Sequence, residues 1–547
     1  MAEQDTIEAI RSSLDARESF VVEAGAGSGK TRSLIETIQS VLGEERLALE
    51  QSDRRIVCIT YTNVAKDEII TRLNGDPLVI VDTIHEFLWA VCSGFQRELK
   101  LEVLALNAAS KAPVEGLDEL LNSVSISYGQ FGRHFDRGEL FHDDVIAVAA
   151  ALFENYPKIT RIAADRFPYI FVDEYQDTSA SVTDLLLKYF VKNPRKPVVG
   201  FFGDAMQQIY DSKISDVADQ HGLRTITKVE NYRCSVKVIE VLNRLRSDLA
   251  QEPSGDNLPG DIHLFLADGA EGGIYEKALV ELSTSGWTRE NTKILMLTHR
   301  GIAREIGYTD LLAAYGRRSF GNDVLMERTD EFGEFFTFVE GLVASYENHQ
   351  YGVFLELLGK SGFTIKAASD KAKILVEIEA LSEARATGTV GEVADLIAGS
   401  ALIPLSRKLM RLRERLAADS NDDDESFAKR REFYAAVLDV PWSQVAVFVD
   451  YADQHTPFST KHGVKGAEFE NVLVLIDDKL WNRYKFAGVF TGTDTSADRL
   501  KRSRKLLYVS FSRSKKGLAV VCLNPLSDQE LAGARALLGV DGTVTLA

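Results

Sequence analysis

Between residues 21 and 38 the chain reads VVEAGAGSGKTRSLIETI. An apolar run stops, three glycines alternate with small residues, a Lys-Thr pair follows, and a helix-period run begins. That order confines the segment to a buried strand, a tight loop and the first turn of a helix. Gly25, Gly27 and Gly29 let backbone N–H groups curl around phosphate oxygens, and the helix N-terminus adds positive potential. In such a loop, Ala24, Gly25, Ala26, Gly27, Ser28, Gly29, Lys30, Thr31 and Arg32 line a nucleotide's phosphates. Lys30 reaches the β- and γ-phosphates, and Thr31 holds Mg²⁺. An incidental glycine-rich turn would need neither the strand before nor the helix after. Ala24 departs from the usual pattern, which has glycine there.

A phosphate loop of this kind needs a parallel sheet behind it, and the sequence supplies one. Short apolar runs recur: FVVEA (20–24), IVCIT (56–60), YIFV (169–172), VVGFFG (198–203), KILMLT (293–298), VLVLI (472–476) and GLAVVCL (517–523). Continuous apolar strands separated by helix-period segments predict parallel strands buried on both faces. They fall into two groups, before about 230 and after about 290, so the expected fold is α/β with two doubly wound parallel sheets. Residues 90–165 and 320–455 read as helical insertions, the clearest periodic stretches being KAKILVEIEALSEARA (371–386) and LSRKLMRLRERLAA (405–418). DSNDDDES (419–426) reads as an exposed acidic break.

The run ending at Val172 continues DEYQDT (173–178). Alone, these acids are consistent with a solvated loop. Beside a phosphate loop, Asp173 is expected to help hold Mg²⁺ and Glu174 to orient the attacking water. The net charge of −18 argues against bulk affinity for nucleic acid, yet KRSRKLLYVSFSRSKK (501–516) carries seven Lys and Arg, so the charge is unevenly spread. Four scattered cysteines without a CxxC pair argue against a zinc or iron–sulfur site. With no apolar run of membrane-spanning length and no signal-peptide core, a cytoplasmic protein without a membrane partner is expected.

Further segments fall into a known order. ITYTNVAKDEIITRL (59–73), DTIHEF (82–87), VDEYQDT (172–178), GDAMQQIY (203–210), ENYRCS (230–235), TKHGVKGAEFENVLV (460–474) and LLYVSFSRSKKGLAVV (506–521) join AGAGSGKT (24–31). With these eight motifs the chain resembles the UvrD/Rep/PcrA family of superfamily 1 DNA helicases, whose phosphate loop also begins with alanine. The resemblance implies two RecA-like domains, each with a helical insertion: 1–89 and 166–230 around insertion 90–165, then 231–319 and 456–547 around insertion 320–455. It implies ATP and Mg²⁺ at Lys30, Thr31 and Asp173, with Glu174 polarising water, Gln207 sensing the γ-phosphate, and Arg233 and Arg513 as arginine fingers. Tyr232 would stack on adenine and Glu468 would bind the ribose.

Single-stranded DNA, or DNA with single-stranded ends, would be held by Thr60, Tyr61, Asn63, Thr83, His85, Tyr210 and His462, through phosphate contacts and base stacking. The implied activity is 3′→5′ translocation and unwinding driven by ATP hydrolysis. After Tyr210 the chain has DSKISD where the family carries a stacking Trp, and Ser512 and Ser514 replace Thr and Ala, which leaves strand separation less assured than hydrolysis. Compact insertions are also similar to the helicase-like subunit of Gabija-type antiphage defence systems. That implies the alternative of a DNA-sensing regulatory ATPase with weak unwinding, partnered by a separate nuclease-ATPase chain.

Overall fold

The computed structural model describes residues 2–129, 132–208, 223–267, 273–296, 298–318, 320–360, 367–400, 409–411, 413–414, 425–453, 456–460, 467–479 and 483–546. The chain forms two compact units: Met1–Asp261 with Asp494–Gly517, and Ile262–Thr493 with Leu518–Ala547.

In the first unit, six strands form one sheet: β1 (Phe20–Ala24), β2 (Ile56–Thr60), β3 (Val79–Thr83), β4 (Tyr169–Val172), β5 (Val198–Gly203) and β6 (Arg224–Lys228). Their spatial order is β3-β2-β4-β5-β1-β6 and every pairing is parallel. Successive side chains alternate between faces. Phe20, Val22, Cys58, Phe171 and Phe202 enter one core with the helix α1 (Lys30–Gln51). Val21, Val57, Ile59, Ile170, Val172 and Phe201 enter another core, shared with helices of residues 87–164. Both faces are covered, and for that reason the strands read as unbroken apolar runs. The insertion therefore shares the sheet's core. Among its described residues it holds the helices α3 (Gln96–Ala108) and α4 (His142–Asn155), plus a two-residue pairing of Ser127–Tyr128 with Glu139–Leu140. The short helix α2 (Asn63–Arg72) leaves β2.

The second unit repeats the plan around β7 (Asp261–Ala267), β8 (Thr292–Met296), β9 (Phe458–Thr460), β10 (Phe469–Ile476), β11 (Ser514–Cys522) and β12 (Val544–Leu546), ordered β9-β8-β10-β11-β7-β12. One continuous apolar cluster joins this sheet to the helices of residues 331–451. The predicted helix over 371–386 lies within Ala368–Thr387. Most of 405–418, and residues 419–424 of the acidic break, lie outside the described residues. No helix among the described residues is long and apolar enough to cross a membrane.

Two features differ from the sequence reading. Strands β3, β6, β7, β9 and β12 were not expected; β3 and β6 are edge strands, and β6 buries only alternate residues. The first boundary was drawn after residue 230, whereas residues 231–261 and 494–517 belong to the first compact unit. Both segments are bonded to the phosphate loop by contacts distant in sequence: Asn231 and Gln251 to the Ala26 carbonyl, and Tyr508 to the Ala26 N–H.

Candidate nucleotide-hydrolysis site

The loop leaves β1 in the expected way. Gly27 and Gly29 have φ of 72° and 76°, the left-handed region that glycine enters without strain. At Gly27 space adds a second constraint, since a Cβ there would sit 2.6 Å from the Arg233 Cβ. Gly29 is the N-cap of α1 and has no side chain to cover the helix's first N–H groups. Those donors face outward from a positive helix end, the arrangement that receives phosphate. The Ser28 hydroxyl is buried and has no partner among the described residues.

Lys30 opens α1 and is buried. Asp173 follows β4, its N–H donating to the Ile59 carbonyl at 2.9 Å, and is 4% exposed. Burial first, and then the Glu174 charge, push the Asp173 carboxyl up to about 7, against the opposing pull of Lys30. A buried carboxylate so costly to ionise fits a site that takes up a cation. The Thr31 hydroxyl and the Asp173 carboxylate are hard oxygen donors of the kind Mg²⁺ prefers. Among the described residues no group of three or more His, Cys, Asp or Glu is arranged for a metal. Glu174 sits in the left-handed region at φ 47° and accepts from Gln176 Nε2 at 2.5 Å.

Gln207 and Arg513 meet directly. Arg513, 3% exposed, donates from Nη2 to Gln207 Oε1 at 3.0 Å and from Nε to the Val509 carbonyl at 3.1 Å. Gln207 Nε2 in turn donates to Asp204 Oδ2 at 2.9 Å. Arg233 packs on Gly27 and reaches the Ser512 carbonyl at 3.4 Å. The Tyr232 ring is 39% exposed, its N–H donates to the Gly27 carbonyl at 2.9 Å, and Lys228 Nζ lies 6.0 Å from the ring centre. Both arginines thus stand with the phosphate loop in the first unit. Exposed Glu468 precedes β10 in the second unit. The side chain of Arg32 is exposed and pairs with Glu36 at 2.8 Å.

Several residues that hold the loop were not singled out from the sequence. The Ala26 carbonyl accepts from Asn231 Nδ2 at 2.9 Å and Gln251 Nε2 at 2.8 Å, while the Ala26 N–H donates to the Tyr508 hydroxyl at 3.1 Å. Asn231 and Tyr508 lie inside quoted motifs, so position alone could have flagged them. Gln251 sits in no motif.

Of the residues expected at DNA, Thr60, Tyr61 and His85 line one recess of about 200 Å³ at the strand ends, shared with Asp173 and Asp177. Tyr61 is half exposed and Asn63, at the start of α2, is exposed. Thr60 is buried, with its hydroxyl donating to the Thr62 carbonyl. Thr83 caps the helix Ile84–Cys92 in a capping box with Glu86. The His85 ring lies 4.8 Å from that of His142, and burial, then His142, lower its pKa. Tyr210 and His462 lie outside the described residues.

Fold, loop and motif order together define the class: a phosphate-loop ATPase, an enzyme resembling the UvrD/PcrA-like superfamily 1 helicases. An AAA domain family matches residues 6–213. Along nearly its full length the chain is similar to Gabija protein GajB of Bacillus cereus (strain HuB5-5), with 24% identity over 96% of each chain. It is also similar to the ATP-dependent DNA helicase PcrA of Staphylococcus aureus (strain Mu50 / ATCC 700699), with 26% identity over 43% of this chain and 39% of that protein. The PcrA of Staphylococcus epidermidis matches to the same extent.

Proposed function

We propose that the chain hydrolyses ATP with Mg²⁺ and couples the hydrolysis to movement along single-stranded DNA in the 3′→5′ direction. The observation that carries this reading is the buried Arg513–Gln207 contact in the unit that also holds Lys30 and Asp173. Lys30 neutralises charge on the transferring phosphate. Thr31 and Asp173 hold the Mg²⁺, which supplies further positive charge at the phosphates. Glu174 accepts a proton from the attacking water, Gln207 contacts the γ-phosphate, and Arg513 and Arg233 meet charge that develops in the transition state. Tyr232 stacks on adenine and Glu468 binds the ribose. Thr60, Tyr61, Asn63 and His85, with Tyr210 and His462, hold the DNA; Thr83 acts by setting the helix that carries His85.

The test is ATP turnover with and without single-stranded DNA. Wild-type turnover should rise with DNA and Lys30→Ala should abolish it, while Glu174→Gln should bind ATP without hydrolysing it. Wild-type turnover in Lys30→Ala would exclude this site. The similarity to Gabija protein GajB over nearly the whole chain favours a second reading, in which the same ATPase senses DNA inside a nuclease-containing antiphage complex and unwinds weakly. Co-purification with a separate nuclease chain, together with DNA-stimulated hydrolysis and little strand separation, selects it. Processive unwinding by the isolated chain selects the first.

A further inference from the structure

The Tyr508 hydroxyl occupies a position for which the proposed chemistry has not accounted. Its ring is 0% exposed and it belongs to the helix α5 (Ala497–Phe511), far along the chain from the phosphate loop. A hydroxyl has one proton to give and two lone pairs to receive. Here all three are used. It accepts the Ala26 N–H at 3.1 Å and Arg246 Nη1 at 2.8 Å, and it donates to Gln251 Oε1 at 3.2 Å. Gln251 closes the contact by donating to the Ala26 carbonyl. The N–H and the C=O of one phosphate-loop residue are thereby both fixed, the first by the Tyr508 hydroxyl and the second by the Gln251 amide that this hydroxyl holds.

Arg246 carries the connection onward. Its guanidinium is fully buried and makes a two-pronged pair with Asp248, at 3.0 and 2.7 Å. That pair neutralises the arginine and leaves Nη1 to reach both Tyr508 and, at 3.3 Å, Asp204 Oδ1. The other Asp204 oxygen holds Gln207, and Gln207 holds Arg513. A chain of buried polar contacts therefore runs Ala26–Tyr508–Arg246–Asp204–Gln207–Arg513, entirely within the first compact unit. Networks of this kind lock their members because any loosened group would be left buried and unpaired.

We propose that Tyr508 and Arg246 are positioning residues for ATP hydrolysis, holding the phosphate loop in register with Gln207 and Arg513. The inference rests on the reading above. Neither residue is among the groups assigned to the phosphates; together they hold the loop residue Ala26 and, through Asp204, Gln207. Loosening the network leaves the loop's phosphate-binding N–H groups in place but lets Gln207 and Arg513 drift from the reacting phosphate. Small misplacements of this sort cost rate far more than ground-state binding.

Tyr508→Phe keeps the ring and removes the hydroxyl. It should lower kcat at least tenfold at saturating single-stranded DNA, with affinity for a non-hydrolysable ATP analogue within threefold of wild type. Arg246→Lys keeps a cation beside Asp204 but cannot span Asp248 and Tyr508 together. It should show the same loss confined to kcat, and it serves where Tyr508→Phe does not fold. Because both act through Gln207, Tyr508→Phe combined with Gln207→Ala should be no slower than Gln207→Ala alone. A near-normal kcat in the folded variant, a loss confined to nucleotide affinity, or additive losses in the double variant would overturn the proposal. Lys30→Ala separates the two levels of inference. If Lys30→Ala is inactive while Tyr508→Phe is normal, only the positioning role fails; if Lys30→Ala is active, the hydrolysis site itself fails.

Discussion

The phosphate loop and the described residues expected to meet DNA, Thr60, Tyr61, Asn63, Thr83 and His85, lie in the same compact unit and are built in opposite ways. The loop peptide at Ala26 is held by side chains some two hundred and nearly five hundred residues away, all of them buried. Thr62, by contrast, caps its own helix by accepting from the Ala65 N–H, and Thr83 caps its own helix through Glu86. Tyr61 and Val64 stand exposed at 50% and 79%. A site that must stabilise developing charge gains from donors already fixed in place. A surface that must accept any base gains from aromatic faces that keep some freedom. The difference predicts which region tolerates change.

The largest effect is expected at Asp173. Asp173→Asn removes the proposed Mg²⁺ donor and should reduce hydrolysis below detection. It should also stabilise the protein in the absence of Mg²⁺. The folded-state pKa of Asp173 is raised from 3.8 to about 7, so its contribution to stability is full at low pH and is lost as pH rises through about 7. Asparagine has no such loss. The melting temperature of Asp173→Asn should therefore exceed that of the wild type at pH 8, with the gap narrowing by pH 5.5. Equal melting temperatures at pH 8 would show that the buried carboxylate carries no such penalty.

Next comes Arg513. Arg513→Ala should lower kcat roughly 10³–10⁵-fold while changing analogue affinity much less, the pattern of a contact made in the transition state. Arg513→Lys should recover little of this, since an ammonium cannot span Gln207, the Val509 carbonyl and a phosphate oxygen together. A near-normal kcat for Arg513→Ala would mean that the buried arginine neither meets transition-state charge nor sets Gln207 for hydrolysis.

Tyr61 tests the other side of the comparison. Tyr61→Ala should weaken single-stranded DNA binding by roughly 1–3 kcal/mol, the usual contribution of one aromatic–base stack. ATP turnover without DNA should remain at the wild-type level, and Tyr61→Phe should bind DNA normally. If Tyr61→Ala instead lowers DNA-free turnover, the recess it shares with Asp173 is part of the hydrolytic site, and the two regions are less separate than drawn here.

The sequence made the loop legible because its chemistry is local. Gly27, Gly29, Lys30 and Thr31 fall within one stretch of five residues, and β1, β2, β4 and β5 are covered on both faces, so nearly all their side chains are apolar. Edge strands such as β6, with one buried residue in two, carry a weaker pattern and were missed. Gln251 and Arg246 were missed for another reason. Their partners are Ala26, Tyr508 and Asp204, and neither spacing nor periodicity encodes a contact that exists only after the chain has closed on itself. The grouping of residues 494–517 with the first unit has the same origin.

The smallest expected effect separates local scaffolding from contact with DNA at Thr83. The family resemblance assigns this residue to the DNA surface, and its hydroxyl also accepts the Glu86 N–H while Glu86 Oε2 accepts the Thr83 N–H at 2.7 Å. Such a reciprocal box satisfies two donors that the first turn of a helix otherwise leaves open. Glu86 is held in turn by Lys66 at 2.9 Å, so the box is tied to α2 as well. Thr83→Ala removes the cap and should cost about 1 kcal/mol of stability, read from denaturant unfolding. Thr83→Ser keeps an acceptor in the same place and should recover most of it. If the hydroxyl serves mainly to set the helix bearing His85, DNA affinity should fall no more than about twofold in Thr83→Ala. A tenfold loss, recovered by Thr83→Ser, would instead mean that its O–H donates directly to a DNA phosphate, since the cap occupies only a lone pair and leaves that proton available.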